Sequence, residues 1–167
     1  MIIRKAEKKD IESIAKIGIA TWRDAYKEII SDDYLSSLSV EKRIAKFSEI
    51  FENPENFEEK FFVAEADDAI IGFAICGKIR ENLQDIKGEL YAIYVLPQFQ
   101  KSGAGKALLA CVNNFLKSQE LWPMLVYVLK DNLKARKFYE KTGGKIVAEK
   151  IITIGNQELI EIGYGYE

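Results

Sequence analysis

Val95-Leu96-Pro97-Gln98-Phe99-Gln100-Lys101-Ser102-Gly103-Ala104-Gly105-Lys106-Ala107-Leu108 reads as a buried strand that stops, a tight glycine loop, and a helix that starts. Pro97 ends the strand because it has no N–H to give to a ladder. The first N–H groups of a helix have no partner inside it, and they converge with the positive end of the helix dipole. Such a turn is suited to an anion, and best to a diphosphate. Gly103 and Gly105 let the backbone approach phosphates closely. Lys101 and Lys106 add positive charge. The reading predicts a diphosphate-binding turn made by Gln100, Lys101, Ser102, Gly103, Ala104, Gly105 and Lys106. An ordinary strand-to-helix turn also carries glycine, so the wider pattern Q-x-x-G-x-G after a strand and a proline carries the argument. A Walker loop is excluded, because G-x-x-x-x-G-K-[ST] is absent. The dinucleotide fingerprint is excluded too, because Leu108 stands where its third glycine would be.

The flanking elements follow from hydrophobic spacing. Upstream of the loop, Glu89 to Leu96 (ELYAIYVL) is apolar and β-prone, which predicts a central strand buried on both faces. Downstream, a helix from Gly103 to Lys117 places Ala104, Leu108, Cys111, Val112 and Phe115 on one face. Pro123 to Leu129 reads as another buried strand, and Asn132 to Lys141 as a helix closed by Gly143-Gly144. Two last strands, Ile146 to Thr153 and Leu159 to Gly163, join at Gly155-Asn156. Nearer the N-terminus, Lys60 to Ala66 and Ile70 to Ile79 form a hairpin about Asp67-Asp68. A polar connection, Arg80 to Gly88, leads out of it. Ile2 to Arg4 is a short first strand. Glu7 to Ile29 is an amphipathic helix, with apolar residues at Ile11, Ile14, Ala15, Ile17, Gly18, Trp22 and Tyr26. A short helix at Tyr34 to Leu38 is capped by Ser31-Asp32-Asp33. A third runs from Val40 to Phe51, ahead of a loop at Asn53 to Asn56. The order predicts an α/β fold with a mixed central sheet of about six to seven strands flanked by about four helices. One domain is expected to span residues 1–167.

Composition removes several classes of function. The 167 residues are 48% hydrophobic, enough for a core without disulfides. There are 24 basic and 26 acidic side chains, which is not the basic excess of a nucleic-acid binder. Histidine is absent, so the commonest general base and metal ligand is missing. Proton transfer falls to Glu, Asp, Tyr, Lys, Cys or water, and no metal is expected. Cys76 and Cys111 lie far apart in apolar segments, as buried reduced cysteines do. No stretch approaches the ~18 apolar residues of a membrane span. Met1 to Lys5 is too short an apolar run for a signal peptide, so a cytoplasmic protein is expected.

Two segments, in this order, resemble the GCN5-related N-acetyltransferase (GNAT) superfamily. One is the strand Glu89 to Val95 with its loop Gln100 to Gly105. The other is Asn132-Leu133-Lys134-Ala135-Arg136-Lys137-Phe138-Tyr139-Glu140-Lys141-Thr142-Gly143-Gly144, similar to the family's N-x-x-A-x-x-F-Y-E-K-x-G-F. Gly144 stands where the family usually has Phe, which is expected to alter packing before the next strand. Thr21-Trp22-Arg23-Asp24-Ala25-Tyr26 resembles bacterial members likened to polyamine acetyltransferases.

The resemblance implies acetyl-CoA as co-substrate. It implies direct attack by a primary amine, either a small molecule such as a polyamine or a peptide amine, in a ternary complex. It places the pantetheine arm along Ile93, Tyr94 and Val95, with the Val95 N–H at the thioester carbonyl. Tyr139 matches the tyrosine that protonates the leaving thiolate, and Glu89, eleven positions before Gln100, matches the general base of the histone-acetylating branch. Asn132 matches a residue that often bonds the cofactor arm. Structural readings stand beside these: a half-buried aromatic for Tyr139, a solvated strand end for Glu89, with water as the base, and a helix N-cap for Asn132. Trp22, Tyr26 and Tyr34 are the candidate acceptor-binding residues, although Trp22 and Tyr26 also fall on the apolar helix stripe. A homodimer is expected by the same analogy. Two other functions remain open: a non-catalytic acyl-CoA-binding regulatory module and a purely structural domain.

Overall fold

The computed structural model describes residues 1–83 and 85–167; Gln84, within the expected Arg80 to Gly88 connection, lies outside the described residues. The strands are β1 (Ile2–Lys5), β2 (Lys60–Ala66), β3 (Ala69–Lys78), β4 (Gly88–Val95), β5 (Met124–Leu129), β6 (Lys145–Ile154) and β7 (Gln157–Tyr166). The helices are α1 (Ile11–Ala25), α2 (Asp32–Ser37), α3 (Val40–Glu52), α4 (Ala104–Ser118) and α5 (Leu133–Lys141). The strands form one mixed sheet in the order β1-β2-β3-β4-β5-β7-β6, the α/β architecture expected from the sequence.

Each face of the sheet carries a core. On one side α4 buries Leu108, Val112 and Leu116 against Leu90, Met124 and Val126 of the sheet. On the other, α1 and α3 bury Ile14, Ile17 and Phe47 against Val63 and Phe73. Each such side chain contributes about 2 kcal/mol of burial free energy. A third cluster, Tyr26, Ile30, Leu35 and Leu129, ties the end of α1 to α2 and the tip of the β6–β7 hairpin. Gln157 fastens that tip, accepting from the Ser31 N–H at 2.7 Å.

The first helix and the last strand end elsewhere than the sequence reading placed them, each for a physical reason. The helix expected over Glu7 to Ile29 begins late and ends early. Lys8–Asp10 is a 3₁₀ turn in which the Asp10 carboxylate accepts from the Glu7 N–H at 2.8 Å and is gripped by Arg4 at 2.7 Å. At the other end, the Ile29 and Ile30 N–H groups both turn back to the Tyr26 carbonyl, which swings Ile30 into the third cluster. Strand β7 runs past Gly163 to Tyr166, because Gly163 and Gly165 pair in register with Tyr127 and Leu125. A Cβ at Gly163 would stand 3.0 Å from Ala148 and from Tyr127, so glycine there serves close packing and does not end the strand.

The third difference decides the site. Strand β4 is parallel to β5 and pairs with it only at Gly88↔Met124, Glu89↔Leu125 and Leu90↔Val126. Beyond Leu90 the two strands part. Gly88, Glu89 and Leu90 are buried, although Gly88 was expected in the polar connection, whereas Tyr91 to Val95 are half-buried and line the gap.

Candidate active site

The parting of β4 and β5 leaves a free strand edge inside the sheet. The Leu96 N–H donates to Ile71 O of β3 at 2.9 Å. Backbone groups alternate sides along a strand, so the N–H groups of Val95 and Ile93 face the opposite way, into the gap. The side chains of Ile93 and Val95 pack toward α4, and that of Tyr94 packs toward α1. An unpaired edge of this kind accepts an extended, amide-bearing chain as an added strand.

The glycine loop opens directly onto this gap. Pro97–Phe99 forms a 3₁₀ turn, Lys101 has φ 65°, and Gly103 has φ 93°. Gly103 therefore occupies the left-handed region, and α4 starts at Ala104, whose N–H donates to Ser102 Oγ at 3.4 Å. A Cβ at Gly103 would meet nothing within 4 Å, so the outer face of the turn is open. A Cβ at Gly105 would lie 3.5 Å from Phe138 of α5 and 3.9 Å from Val95, which sets the turn at the mouth of the gap. Gln100 links the parts: its side-chain amide donates to Val95 O at 3.0 Å, and Lys134 of α5 donates to its oxygen. The exposed Lys101 flanks the turn. The N–H groups of Gly103, Gly105 and Lys106, the dipole of a 15-residue helix and the open space fit a diphosphate.

Across the gap, α5 presents Tyr139. It is 6% exposed, and burial pushes its hydroxyl well above the ordinary tyrosine range. Its ring packs on Phe138 at 5.3 Å and on Tyr164 at 5.9 Å. No described residue hydrogen-bonds its hydroxyl, and Tyr94 and Tyr166 are its ionisable neighbours. Asn132 caps α5, its oxygen accepting from the Ala135 N–H at 3.1 Å, and its side chain also faces the Tyr26 hydroxyl. The missing aromatic at Gly144 is replaced from elsewhere. The Tyr166 ring lies 3.1 Å from where a Cβ at Gly144 would be, and its hydroxyl donates to Tyr139 O at 3.1 Å.

The aromatic residues of α1 meet this group from the other face. The Trp22 Nε1–H donates to the Tyr94 hydroxyl at 2.8 Å. Trp22 and Tyr26 pack edge to face at 4.9 Å, and burial pushes Tyr26 well above its ordinary range, with Tyr94 and Asn132 beside it. Burial also raises Tyr94, while Trp22 and Tyr26 oppose that shift. Arg43 lies over the Trp22 ring at 6.0 Å, in room left by Gly18. Tyr34 stands apart from this group, braced against Gly155 at the hairpin tip.

Glu89 sits at the closed end of the gap, where β4 and β5 still pair. It is 2% exposed, not a solvated strand end. Its carboxylate accepts from the Arg80 backbone N–H at 3.1 Å and from the Arg80 guanidinium, which also stacks on Tyr91 at 4.4 Å. Sequence reasoning missed Arg80 altogether. It named Tyr94 for its backbone and missed its hydroxyl. The available signal was Trp22, since a buried indole N–H requires an acceptor.

A mixed sheet split between two parallel strands, with a helix-start anion turn at the mouth of the split, defines a protein that binds an acyl-coenzyme A ester. The chain belongs to the acetyltransferase (GNAT) family, whose profile matches residues 22–144. It is 35% identical over 164 residues to YuaI of Bacillus subtilis, named as an uncharacterized N-acetyltransferase, covering 98% of this chain and 91% of that one. It is 31% identical over 146 residues to the spermidine N(1)-acetyltransferase of Thermoplasma acidophilum, covering 86% of this chain and 88% of that one. The crystal structure of PaiA N-acetyltransferase from Thermoplasma acidophilum in complex with coenzyme A matches it with TM-score 0.77 and 27% identity, over 99% of this chain and 98% of that one. The chain is thus an acyl-CoA-dependent N-acetyltransferase with acetyl-CoA as co-substrate. Among the described residues no helix is long and apolar enough to cross a membrane, and no group of His, Cys, Asp or Glu could hold a metal ion.

Proposed function

We propose that this chain moves an acetyl group from acetyl-CoA to a primary amine by direct attack in a ternary complex, the acceptor being a small amine such as a polyamine or a peptide amine. The observation that carries this reading is the parting of β4 from β5 beside the open turn at residues 100–106. Acetyl-CoA brings an acyl group already activated as a thioester; the protein has to orient it, stabilise charge and manage protons. Gln100, Lys101, Ser102, Gly103, Ala104, Gly105 and Lys106 hold the diphosphate. The arm then runs from that turn into the gap, so it meets Val95 first and Ile93 deeper. Val95 accordingly pairs with the arm, and the Ile93 N–H donates to the thioester oxygen, the reverse of the order implied by the resemblance. Tyr139, kept protonated by burial, gives its proton to the departing thiolate. Asn132 fixes the start of the helix that carries Tyr139.

Proton removal from the amine is assigned to water. Glu89 lies four residues from Ile93, about 13 Å along a strand, and is engaged by Arg80. The Glu89→Gln variant should keep kcat/KM within about fivefold of wild type, because the amide can still accept from Arg80. Its stability should fall by about 1 kcal/mol for the lost charge on that bond. A hundredfold loss of kcat with the fold intact would restore Glu89 as the base.

Trp22 and Tyr26 form an aromatic wall that suits a cationic acceptor, in keeping with the spermidine named for the Thermoplasma relative. The direct test is release of free CoA thiol from acetyl-CoA with spermidine, putrescine, an aminoglycoside and peptides with free N-termini. Turnover of at least one amine is expected. Tight CoA binding with no thiol release across the panel would leave a non-catalytic binding module instead.

A further inference from the structure

Strand β7 carries one carboxylate toward the α1 face of the sheet. Ile160 and Ile162 pack into the core beneath α4, so Glu161 between them points the other way. Its cross-strand partner Leu129 belongs to the cluster that ties α1 and α2 to the hairpin. The pairing also sets its height. Glu89 pairs with Leu125, and four residues further along β5 Leu129 pairs with Glu161. Ile93 lies four residues beyond Glu89 on β4, so Ile93 and Glu161 stand level to about one residue's rise. With the cofactor arm seated in the gap as an added strand, β5 and β7 come next, which puts β7 about 10 Å from the thioester. Glu161 lies within electrostatic reach of Tyr94, which Trp22 and Tyr26 flank. The charges around it do not balance. Arg80 holds Glu89, and Lys150 donates to Glu81 at 3.1 Å and rests on the Tyr127 ring at 3.7 Å. Lys150 is 3.9 Å from Glu161, too far for a hydrogen bond. Three carboxylates thus face two cations, and Glu161 is the one left without a close partner among the described residues. Its side chain is only 21% exposed, and burial raises its pKa against the opposing pull of Lys150 and Arg80.

We infer that Glu161 binds a second, protonated nitrogen of the acceptor, so that the enzyme selects diamines and polyamines over amines with a single nitrogen. A half-buried carboxylate without a hydrogen bond is poorly solvated, and an ammonium restores both the charge and the bond. The reach agrees. Nitrogens three or four methylenes apart are about 5–6 Å apart when the chain is extended. An attacking nitrogen about 3 Å from the thioester carbon at one end, and an ammonium about 2.8 Å from a carboxylate at the other, extend that to the span between gap and β7. The ammonium stays charged and inert while the other nitrogen, as the free amine, attacks. Glu161 touches no reacting atom. It sets which acceptor is held and in what pose. This inference rests on the acetyl-transfer reading above.

The test compares putrescine and spermidine with butylamine, which has the carbon chain of putrescine and a single nitrogen. Wild type should show kcat/KM for the first two at least about tenfold above butylamine. Glu161→Gln should lower the putrescine and spermidine values about 10- to 100-fold, the loss of one charge-assisted bond, and leave butylamine within about twofold. Its thermal midpoint and its stabilisation by CoA should match wild type, because the amide has the same shape and no bond of the fold is lost. Glu161→Asp, which keeps the charge on a shorter arm, should retain more of the spermidine rate than Glu161→Gln. Equal losses for butylamine and putrescine would give Glu161 a structural role and overturn the inference. Unchanged putrescine and spermidine kinetics would overturn it as well. Wild type that acetylates peptides or butylamine as readily as putrescine would remove the inference and leave acetyl transfer standing. Wild type that binds CoA and acetylates no amine would remove both.

Discussion

Gly105→Asp is expected to fold as wild type does and to lose coenzyme A. Gly105 is the second residue of α4, with an ordinary helical backbone, and a Cβ there would make only van der Waals contact with Phe138 at 3.5 Å. Replacing glycine by aspartate within a helix favours the helical state by about 0.1–0.3 kcal/mol. A carboxylate in the first turn adds about 0.3–1 kcal/mol through the dipole. The same carboxylate, however, occupies the place of the diphosphate and repels it. The two effects have opposite signs, which makes the variant informative. At a CoA concentration of about 100 times Kd, wild type gains about 2.7 kcal/mol of stability. In a chain of this size that raises the thermal midpoint by about 5–10 °C. The variant should show a midpoint at or slightly above that of ligand-free wild type and no rise with CoA, corresponding to a loss of affinity of at least about 100-fold. A midpoint that still climbs with CoA would place the diphosphate elsewhere and remove the basis of the site.

The anion turn was legible in the sequence because its parts are contiguous. Gln100 to Lys106 lie side by side in the chain, and an anion turn needs only local backbone geometry and a following helix. The helices and most strands were legible for the same reason, through spacings within a single element. The split between β4 and β5 was legible only through the family resemblance, which laid the cofactor arm along Ile93, Tyr94 and Val95, and not in the residue pattern itself. Glu89 to Val95 is equally apolar whether its edge is paired or free, so the pattern read as a strand buried throughout. Relations across the chain were invisible too. Trp22 and Tyr94 are 72 residues apart, and only the folded sheet brings the indole to the hydroxyl. Tyr166 fills the space beside Gly144 from a strand that the glycine pattern had cut short at Gly163. Glu89 shows the limit of spacing as an argument. Its distance from Gln100 in sequence matched a family base, while its partner Arg80 follows from how the β3–β4 connection turns back.

Tyr139→Phe is expected to lower kcat about 10²- to 10³-fold, the range of a lost general acid. The variant isolates chemistry from structure. The Tyr139 hydroxyl is bonded by no described residue, so its removal breaks no bond of the fold, while the ring keeps its packing on Phe138 and Tyr164. The thermal midpoint should therefore stay within about 2 °C of wild type. The Kd for CoA and the KM for the amine should also hold, because the interaction is made only as the carbon–sulfur bond breaks. Burial raises the Tyr139 pKa, so the proton is present below that raised value and lost only above it. The hydroxyl thus serves as an acid through the neutral range, and the pH profile of wild type should show no fall from its ionisation there. With an ordinary thiol pKa of about 8.5 the thiolate is the weaker base, so transfer from Tyr139 runs uphill and is completed by water returning a proton to the phenolate. A Tyr139→Phe enzyme that retains kcat within about threefold of wild type would assign thiolate protonation to water, leaving Tyr139 as a packed aromatic.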